Sequence, residues 1–188
     1  MTMKGFTLIE TMVSIAILTI AVAGPLFSAS RAIVAAEIAR DQLTASHLAQ
    51  EGIEHVRMMR DDEYLTALHS NPSTASSVAW TNFLTGSDAA SITQCRAPNL
   101  CTLDPVQNSV SPLVPCQNNI CSQLYVLSNG VYTQQSSGAT KTAFTRTIQV
   151  VDASPNGTTD VRIISAVSWS FHETLYSVSI TDHLTPWQ

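Results

Sequence analysis

The first hydrophobic feature of the chain is an uncharged run, Thr11–Ser30, which lies between Glu10 and Arg31. A helix rises 1.5 Å per residue, so a run of about twenty residues covers about 30 Å, the thickness of a bilayer's hydrocarbon core. The run therefore predicts a helix that enters or crosses a membrane.

The helical pattern continues from Arg31 to about Leu68 but becomes amphipathic. Small and apolar residues recur there every three or four positions, on one face: Ala45, Leu48, Ala49, Gly52, Ile53, Val56 and Met59. Opposite charges at helical spacing on the other face indicate a solvated surface. We expect Asn71-Pro72 to end the helix, because the residue before a proline is disfavoured in the helical region. One helix from Phe6 to about Leu68, packed through its second half, follows from this pattern.

The last third of the chain alternates between apolar and polar positions, which predicts antiparallel strands. The predicted strands are Gln123–Leu127, Val131–Gln134, Ala143–Val151, Val161–Phe171 and Leu175–Asp182. Asn129-Gly130 is a strong hairpin dipeptide between the first two strands, and Asn156-Gly157 predicts a further turn within Asp152–Asp160. Residues 73–122 lack a sustained period and predict loops, with one short helix around Ser77–Leu84.

Composition limits the classes of function. Only 12% of residues are charged, and fourteen acids against nine bases give a net charge of −5, which excludes a strongly basic nucleic-acid-coating protein. The bases from Ser70 onward are only Arg96, Lys141, Arg146 and Arg162. No nucleic-acid partner is therefore expected.

The sequence offers little catalytic chemistry. It contains no P-loop, Rossmann glycine pattern, G-x-S-x-G or H-E-x-x-H, and its histidines are scattered: His47, His55, His69, His172 and His183. The Asp152–Asp160 loop has oxygen ligands for calcium, but a hairpin turn explains it better. We expect neither an enzyme nor a bound cofactor or metal.

The first ten residues, MTMKGFTLIE, decide between several targeting signals. A secretory signal cleaved after Ala23, at Ala21-Val22-Ala23, leaves Glu10 unexplained, and so does a plain signal anchor. A carboxylate at mid-bilayer costs about 2.5–3.5 kcal/mol on the insertion scale, so a disposable signal gains nothing from it. The sequence GFTLIE before a long uncharged run resembles the N-terminus of type IV pilins and pseudopilins.

That resemblance implies a processing and assembly route. A prepilin peptidase and methyltransferase of the membrane would cut after Gly5 and methylate the new N-terminal residue, Phe6. Glu10 would then pair with the Phe6 amine of a neighbouring pilin subunit as the helix leaves the lipid bilayer. A pilus assembly platform in the cytoplasmic membrane would direct this step. Glu10 merely reaching the membrane surface is the simpler alternative.

Gly24-Pro25 lies inside the apolar run. Proline removes one backbone hydrogen bond and clashes with the preceding turn, so we expect a kink or a locally melted helix there. The hydroxyls of Ser28 and Ser30 are candidate partners for the freed carbonyls. A similar proline is common in pilins, where it is expected to help packing in the filament.

Further blocks resemble a minor-pilin-like subgroup: Leu48–Leu65, Thr142–Ile148, Val167–Trp169 and Leu184–Trp187. The resemblance implies an α+β pilin fold, with a long N-terminal helix packed on a C-terminal antiparallel sheet. The expected organisation is a leader (1–5), an apolar helix half (6–30), an amphipathic helix half (31–70), a cysteine-containing loop region (71–122) and a sheet region (123–188). We expect a single-pass protein of the cytoplasmic (inner) membrane that later enters an extracellular or cell-envelope filament. The rivals are a pseudopilin of a type II secretion system and a secreted enzyme or binding protein cleaved after Ala23.

The four cysteines are Cys95, Cys101, Cys116 and Cys121. The first pair is more widely spaced than in most zinc sites, and an exported head favours two disulfides. Three pairings are possible, and two of them are favoured. One is local, Cys95–Cys101 with Cys116–Cys121, and is slightly preferred. The other is nested, Cys95–Cys121 with Cys101–Cys116.

Overall fold

The computed structural model describes residues 5, 7–86, 91–106, 112–153 and 159–186. Its helices are α1 (Leu8–Ser70) and α2 (Ala75–Thr85), followed by a 3-10 turn, Thr93–Cys95. The strands are β1 (Cys101–Leu103), β2 (Leu113–Pro115), β3 (Gln123–Leu127), β4 (Tyr132–Thr133), β5 (Ala139–Asp152), β6 (Val161–Phe171) and β7 (Thr174–Leu184). The predicted α+β class, with a long helix and an antiparallel sheet, is confirmed.

The chain divides into two compact units, Met1–Asp41 and Gln42–Gln188. The second unit, which we call the head, contains the second half of α1 and all seven strands. The seven α1 residues between Ala45 and Met59 that were predicted to share one face, which we call the stripe, are all buried in the head. Ala67 is buried with them. The stripe is buried because apolar side chains three or four residues apart share the helix face that meets the sheet.

Every strand pair in the sheet is antiparallel. The long strand β5 has β6 on one edge, and β7 follows beyond β6. Its other edge is shared, since β3 and then β4 lie along its first half while β1 and then β2 lie beside its second half. The sheet therefore has three outer strands, β2, β4 and β7, among the residues that the structure describes.

Alternating side chains of β5 and β6 form the core beneath α1. Phe144, Ile148 and Val150 point inward from β5, and Ile163 and Val167 point inward from β6. The alternation predicted for both strands is thus confirmed by alternating burial, although Phe171 at the end of β6 is only half-buried. An aromatic row, Tyr132, Phe144, Trp169 and Tyr176, crosses the sheet with neighbouring ring centroids 5.7–6.4 Å apart.

Two hairpin turns require left-handed backbone. Gly130 has φ +86° and donates its N–H to Leu127 O at 2.9 Å, which is the turn that Asn129-Gly130 predicts. The β6–β7 turn is made by His172 and Glu173, with φ +48° and +64°. The turn predicted at Asn156-Gly157 lies outside the described residues.

The region 71–122 differs most from its prediction. It holds the expected short helix, slightly longer at Ala75–Thr85, but also the strands β1 and β2, which were not predicted. Each has three residues, too few to display an alternating pattern, and Leu103 is buried in the shared core. β1 pairs with both β2 and β5. These pairings satisfy the backbone groups of the short strands, and a local sequence pattern cannot reveal them.

Candidate membrane-spanning and assembly segment

The candidate segment begins with a capped helix N-terminus. Thr7 precedes α1, and its hydroxyl accepts a long 3.4 Å hydrogen bond from the N–H of Glu10. Thr7 O also accepts the N–H groups of Glu10 at 3.1 Å and Thr11 at 3.2 Å. The Thr-x-x-Glu spacing of Thr7 and Glu10 is that of a capping box, a signal that is visible in the sequence.

Glu10 lies in the first turn of α1 and is exposed. The positive end of the helix dipole favours a carboxylate at this position. None of the ion pairs between described residues includes Glu10. The pairing with a Phe6 amine stays a prediction, since Phe6 lies outside the described residues. Gly5 is described and exposed.

The described residues of its own unit leave the apolar run without protein cover. Large hydrophobic side chains all around the helix are more than half exposed, and they include Leu8, Ile9, Met12, Ile15, Leu18, Ile20, Leu26 and Phe27. By length and composition, α1 is the one described helix apolar enough to cross a membrane. A helix that is apolar all round belongs in lipid or in a bundle of other helices.

Four of the five hydroxyl side chains of the uncharged run, those of Thr11, Ser14, Thr19 and Ser30, donate to the backbone of their own helix. Ser14 Oγ donates to Glu10 O at 2.7 Å, and Thr19 Oγ1 donates to Ala16 O at 2.8 Å. Such bonds satisfy hydroxyls where water is absent. The few polar residues of the run are therefore compatible with an apolar surrounding.

The helix is continuous through Gly24 and Pro25. Pro25 leaves the carbonyl of Ala21 without its usual helical donor. Ser30, one candidate partner for such a carbonyl, instead donates its hydroxyl to Leu26 O at 3.0 Å. No melted turn is present in this described segment, and the kink at Gly24-Pro25 stays a prediction.

The helix geometry alone does not separate a pilin from a signal sequence, because both begin with an exposed apolar helix. A comparison with family models separates them, since residues 1–24 match the prokaryotic N-terminal methylation motif. The chain carries the signature of type IV pilins and pseudopilins. The motif implies processing by prepilin peptidase and assembly with other pilin subunits. It fits a membrane-anchored precursor that enters a filament.

Two further comparisons add no relative. Neither the curated proteins nor the solved structures gave a match. The matched motif lies in the first unit and does not extend into the head.

The head holds a buried cation, Arg146, which in the sequence is only one of the few bases after Ser70. Arg146 is fully buried between Phe144 and Ile148 on β5. Its guanidinium donates to Leu48 O at 3.2 Å and to Leu103 O at 2.8 Å, and it forms an ion pair with Glu51. Burial lowers the pKa of Arg146, while Glu51 raises it. Arginine nevertheless stays charged in proteins, so Arg146 ties α1 to β5 and β1.

His55 lies next to this ion pair on α1. Its Nδ1 is buried and has no hydrogen-bond partner among the described residues. Burial lowers the pKa of His55, Glu51 raises it, and Arg146 lowers it further. His47 is exposed, whereas His55 is half-buried.

The cysteines form two local disulfides, Cys95–Cys101 and Cys116–Cys121. Cys95 and Cys101 are fully buried in the core beside α2. Cys116–Cys121 closes a surface loop in which Asn119 Oδ1 accepts the N–H of Leu100 at 2.9 Å.

The described carboxylates of the Asp152–Asp160 loop are bound by neighbouring side chains. Asp152 pairs with Arg96, and Asp160 accepts from His183 Nδ1 at 3.1 Å. Asn156 lies outside the described residues. Both described carboxylates are thus engaged by side chains within the head.

Proposed function

We propose that the chain is a structural, minor-pilin-like subunit of a type IV pilus or related filament. In this proposal residues 1–5 are a leader removed after Gly5, Phe6 is methylated, and residues 6–30 anchor the precursor in the cytoplasmic membrane. Residues 31–70 join this anchor to the Cys-containing loops (71–122) and the sheet (123–188). The assembled subunit lies outside the cytoplasmic membrane.

The exposed apolar helix with Glu10 in its first turn carries this proposal. Water cannot be the final environment of a segment with so much apolar surface. Lipid is the first environment of this segment in the proposal, and the match to the methylation motif supports a bundle of filament helices as the second. In this proposal the carboxylate of Glu10 is less stable in lipid than in the filament. An unpaired carboxylate is disfavoured in lipid, and a neighbouring subunit's N-terminal amine neutralises it.

The head supports a structural role. Two of its buried polar contacts lie wholly inside the domain, namely Arg146 with Glu51 and Thr133 Oγ1 donating to Asp104 Oδ1 at 2.8 Å. These groups hold the helix and sheet together. We infer that the head is a scaffold and not an enzyme.

The N-terminus of the mature protein tests this proposal directly. Mass spectrometry of the chain from its native host is expected to find methylated Phe6 as the first residue. A chain that begins at Gly24 would indicate a secreted protein cleaved after Ala23. Immunogold labelling then separates a surface pilus from the periplasmic filament of a type II secretion system.

A carboxylate substitution tests the assembly role. We expect Glu10→Gln to insert into the membrane normally but to be depleted from purified filaments. Glu37→Gln is the matched control, because Glu37 is an exposed carboxylate on the same helix. Equal incorporation of both variants would show that Glu10 acts only as a helix cap or a surface charge.

A further inference from the structure

The two disulfides of the head differ in how the fold surrounds them. Cys95 and Cys101 are fully buried, and both belong to the larger apolar cluster of the core. Cys116 and Cys121 are half-buried and lie in the surface loop that they close. One pair of sulfurs is therefore enclosed by the folded head, and the other pair is partly open to solvent.

The backbone around the enclosed pair is tied to the sheet. Cys101 pairs with Ile148 in the ladder between β1 and β5. The N–H of Ala97, between the two cysteines, donates to Val150 O at 2.8 Å. Thiol–disulfide exchange requires that the attacking thiolate reaches one of the two sulfurs. Exchange at Cys95–Cys101 therefore requires that this part of the head opens first.

The open pair lies beside a cleft. Cys116 forms part of the wall of this cleft, which has a volume of about 530 Å³. Thr102, Ser122 and Gln134 also line it, whereas Cys121 is not among the described residues of the wall. The cleft gives a thiol a route to the disulfide from the Cys116 side, without unfolding of the head.

Hydrogen bonds hold the surface loop in place independently of its disulfide. The N–H of Cys116 donates to Leu100 O at 2.9 Å. Asn119 Oδ1 accepts the N–H of Leu100 at 2.9 Å, and Asn119 Nδ2 donates to Pro98 O at 3.2 Å. None of these bonds uses a sulfur atom. The loop therefore keeps its position when the disulfide opens, and the two thiols stay close enough to pair again.

We propose that Cys116–Cys121 is a thiol-exchange site of the folded head and that its reaction partner is a dithiol. This inference rests on the contacts of the head alone and goes beyond the proposed function. Cys95–Cys101 takes no part in the exchange, because the folded core encloses it.

The exchange has two steps. A thiolate of the dithiol attacks Cys116 Sγ, which forms a mixed disulfide and releases Cys121 as a thiolate that takes up a proton. The second thiolate of the partner then displaces Cys116, which also takes up a proton, and the partner leaves as a disulfide. Two electrons and two protons pass from the dithiol to the head, and the reverse sequence closes the loop again.

Reduction of the folded, full-length chain in detergent tests the proposal. Dithiothreitol serves as the dithiol, free thiols are alkylated at intervals, and mass spectrometry of peptides locates them. We expect Cys116 and Cys121 to react at least about 100-fold faster than Cys95 and Cys101, because local openings cost much less than openings of the core. In urea that unfolds the head, both pairs are expected to react at similar rates.

Tryptophan fluorescence during the reaction shows that the head stays folded without the Cys116–Cys121 disulfide. Similar rates for both pairs in the absence of urea would overturn the proposal. Resistance of Cys116–Cys121 until the head unfolds would overturn it as well.

Two single variants test which sulfur is attacked. Cys121→Ser leaves Cys116 as a free thiol, and Cys116→Ser leaves Cys121 instead, so both variants lose the same disulfide. We expect oxidised glutathione to form a mixed disulfide several-fold faster with Cys121→Ser, because the cleft leads to Cys116. An equal or faster reaction of Cys116→Ser would overturn the assignment of Cys116 as the attacked residue.

Discussion

A glycine in α1 sets how closely the helix approaches the sheet. A Cβ atom built on Gly52 would lie 2.4 Å from Ser165 Oγ and 3.3 Å from Ile148 Cδ1. The first distance is too short for any real contact, so Gly52→Ala forces α1 or Ser165 to move. Ser165 Oγ is buried and has no hydrogen-bond partner among the described residues.

Two opposing contributions determine the effect of Gly52→Ala. Overpacking a well-packed core costs about 1–3 kcal/mol, and alanine is about 1 kcal/mol better than glycine inside a helix. We therefore expect a net loss of about 1 kcal/mol in the free energy of unfolding, or about 2–4 °C in Tm for a chain of this size. Ser165→Ala alone is expected to be nearly neutral, because it removes an unpaired buried hydroxyl.

The double variant tests the steric argument. Without the Ser165 hydroxyl most of the clash disappears, so Gly52→Ala with Ser165→Ala should show a favourable coupling of about 1–2 kcal/mol. Urea unfolding of the full chain in detergent, followed by fluorescence of the buried Trp80 and Trp169, measures it. Gly24→Ala is the control, since its Cβ meets nothing within 4 Å. Stabilisation by Gly52→Ala alone, without coupling to Ser165, would refute the reasoning.

Three further predictions concern the head. Glu51→Gln should lower the free energy of unfolding by about 1.5–3 kcal/mol, because the buried Arg146 loses a charged acceptor; an unchanged urea midpoint would contradict this role. The pKa of His55 is lowered in the folded state, so folding favours its neutral form. The contribution of neutral His55 to the free energy of unfolding is therefore complete above about pH 6.5 and is lost as pH falls below that value. His55→Gln should therefore weaken the fall in Tm between pH 7.5 and 5.5. An identical pH profile in the variant would show that His55 does not cause this fall. Replacing Cys116 and Cys121 together by serine should cost about 2 kcal/mol, from the entropy of a short closed loop, in the same urea assay; no change would mean that the loop is already ordered without its disulfide.

Local sequence patterns predicted most elements of the head. The stripe from Ala45 to Met59 marks the buried face of α1, and alternation placed β3, β6 and β7 within two residues of their bounds. The short strands β1 and β2 escaped prediction because three residues cannot show a period. Their strand character arises from pairing partners distant in the chain.

The sequence by itself determined the processing motif, the apolar helix and the position of Glu10, because each depends on neighbouring residues. The tertiary structure alone decided three other features: the disulfide pairing, the burial of Arg146 against α1 and β1, and the position of β7 as an outer strand of the described sheet. These depend on which distant segments meet. A charge such as Arg146 looks solvated in the sequence until folding brings Glu51 and two backbone carbonyls to its guanidinium.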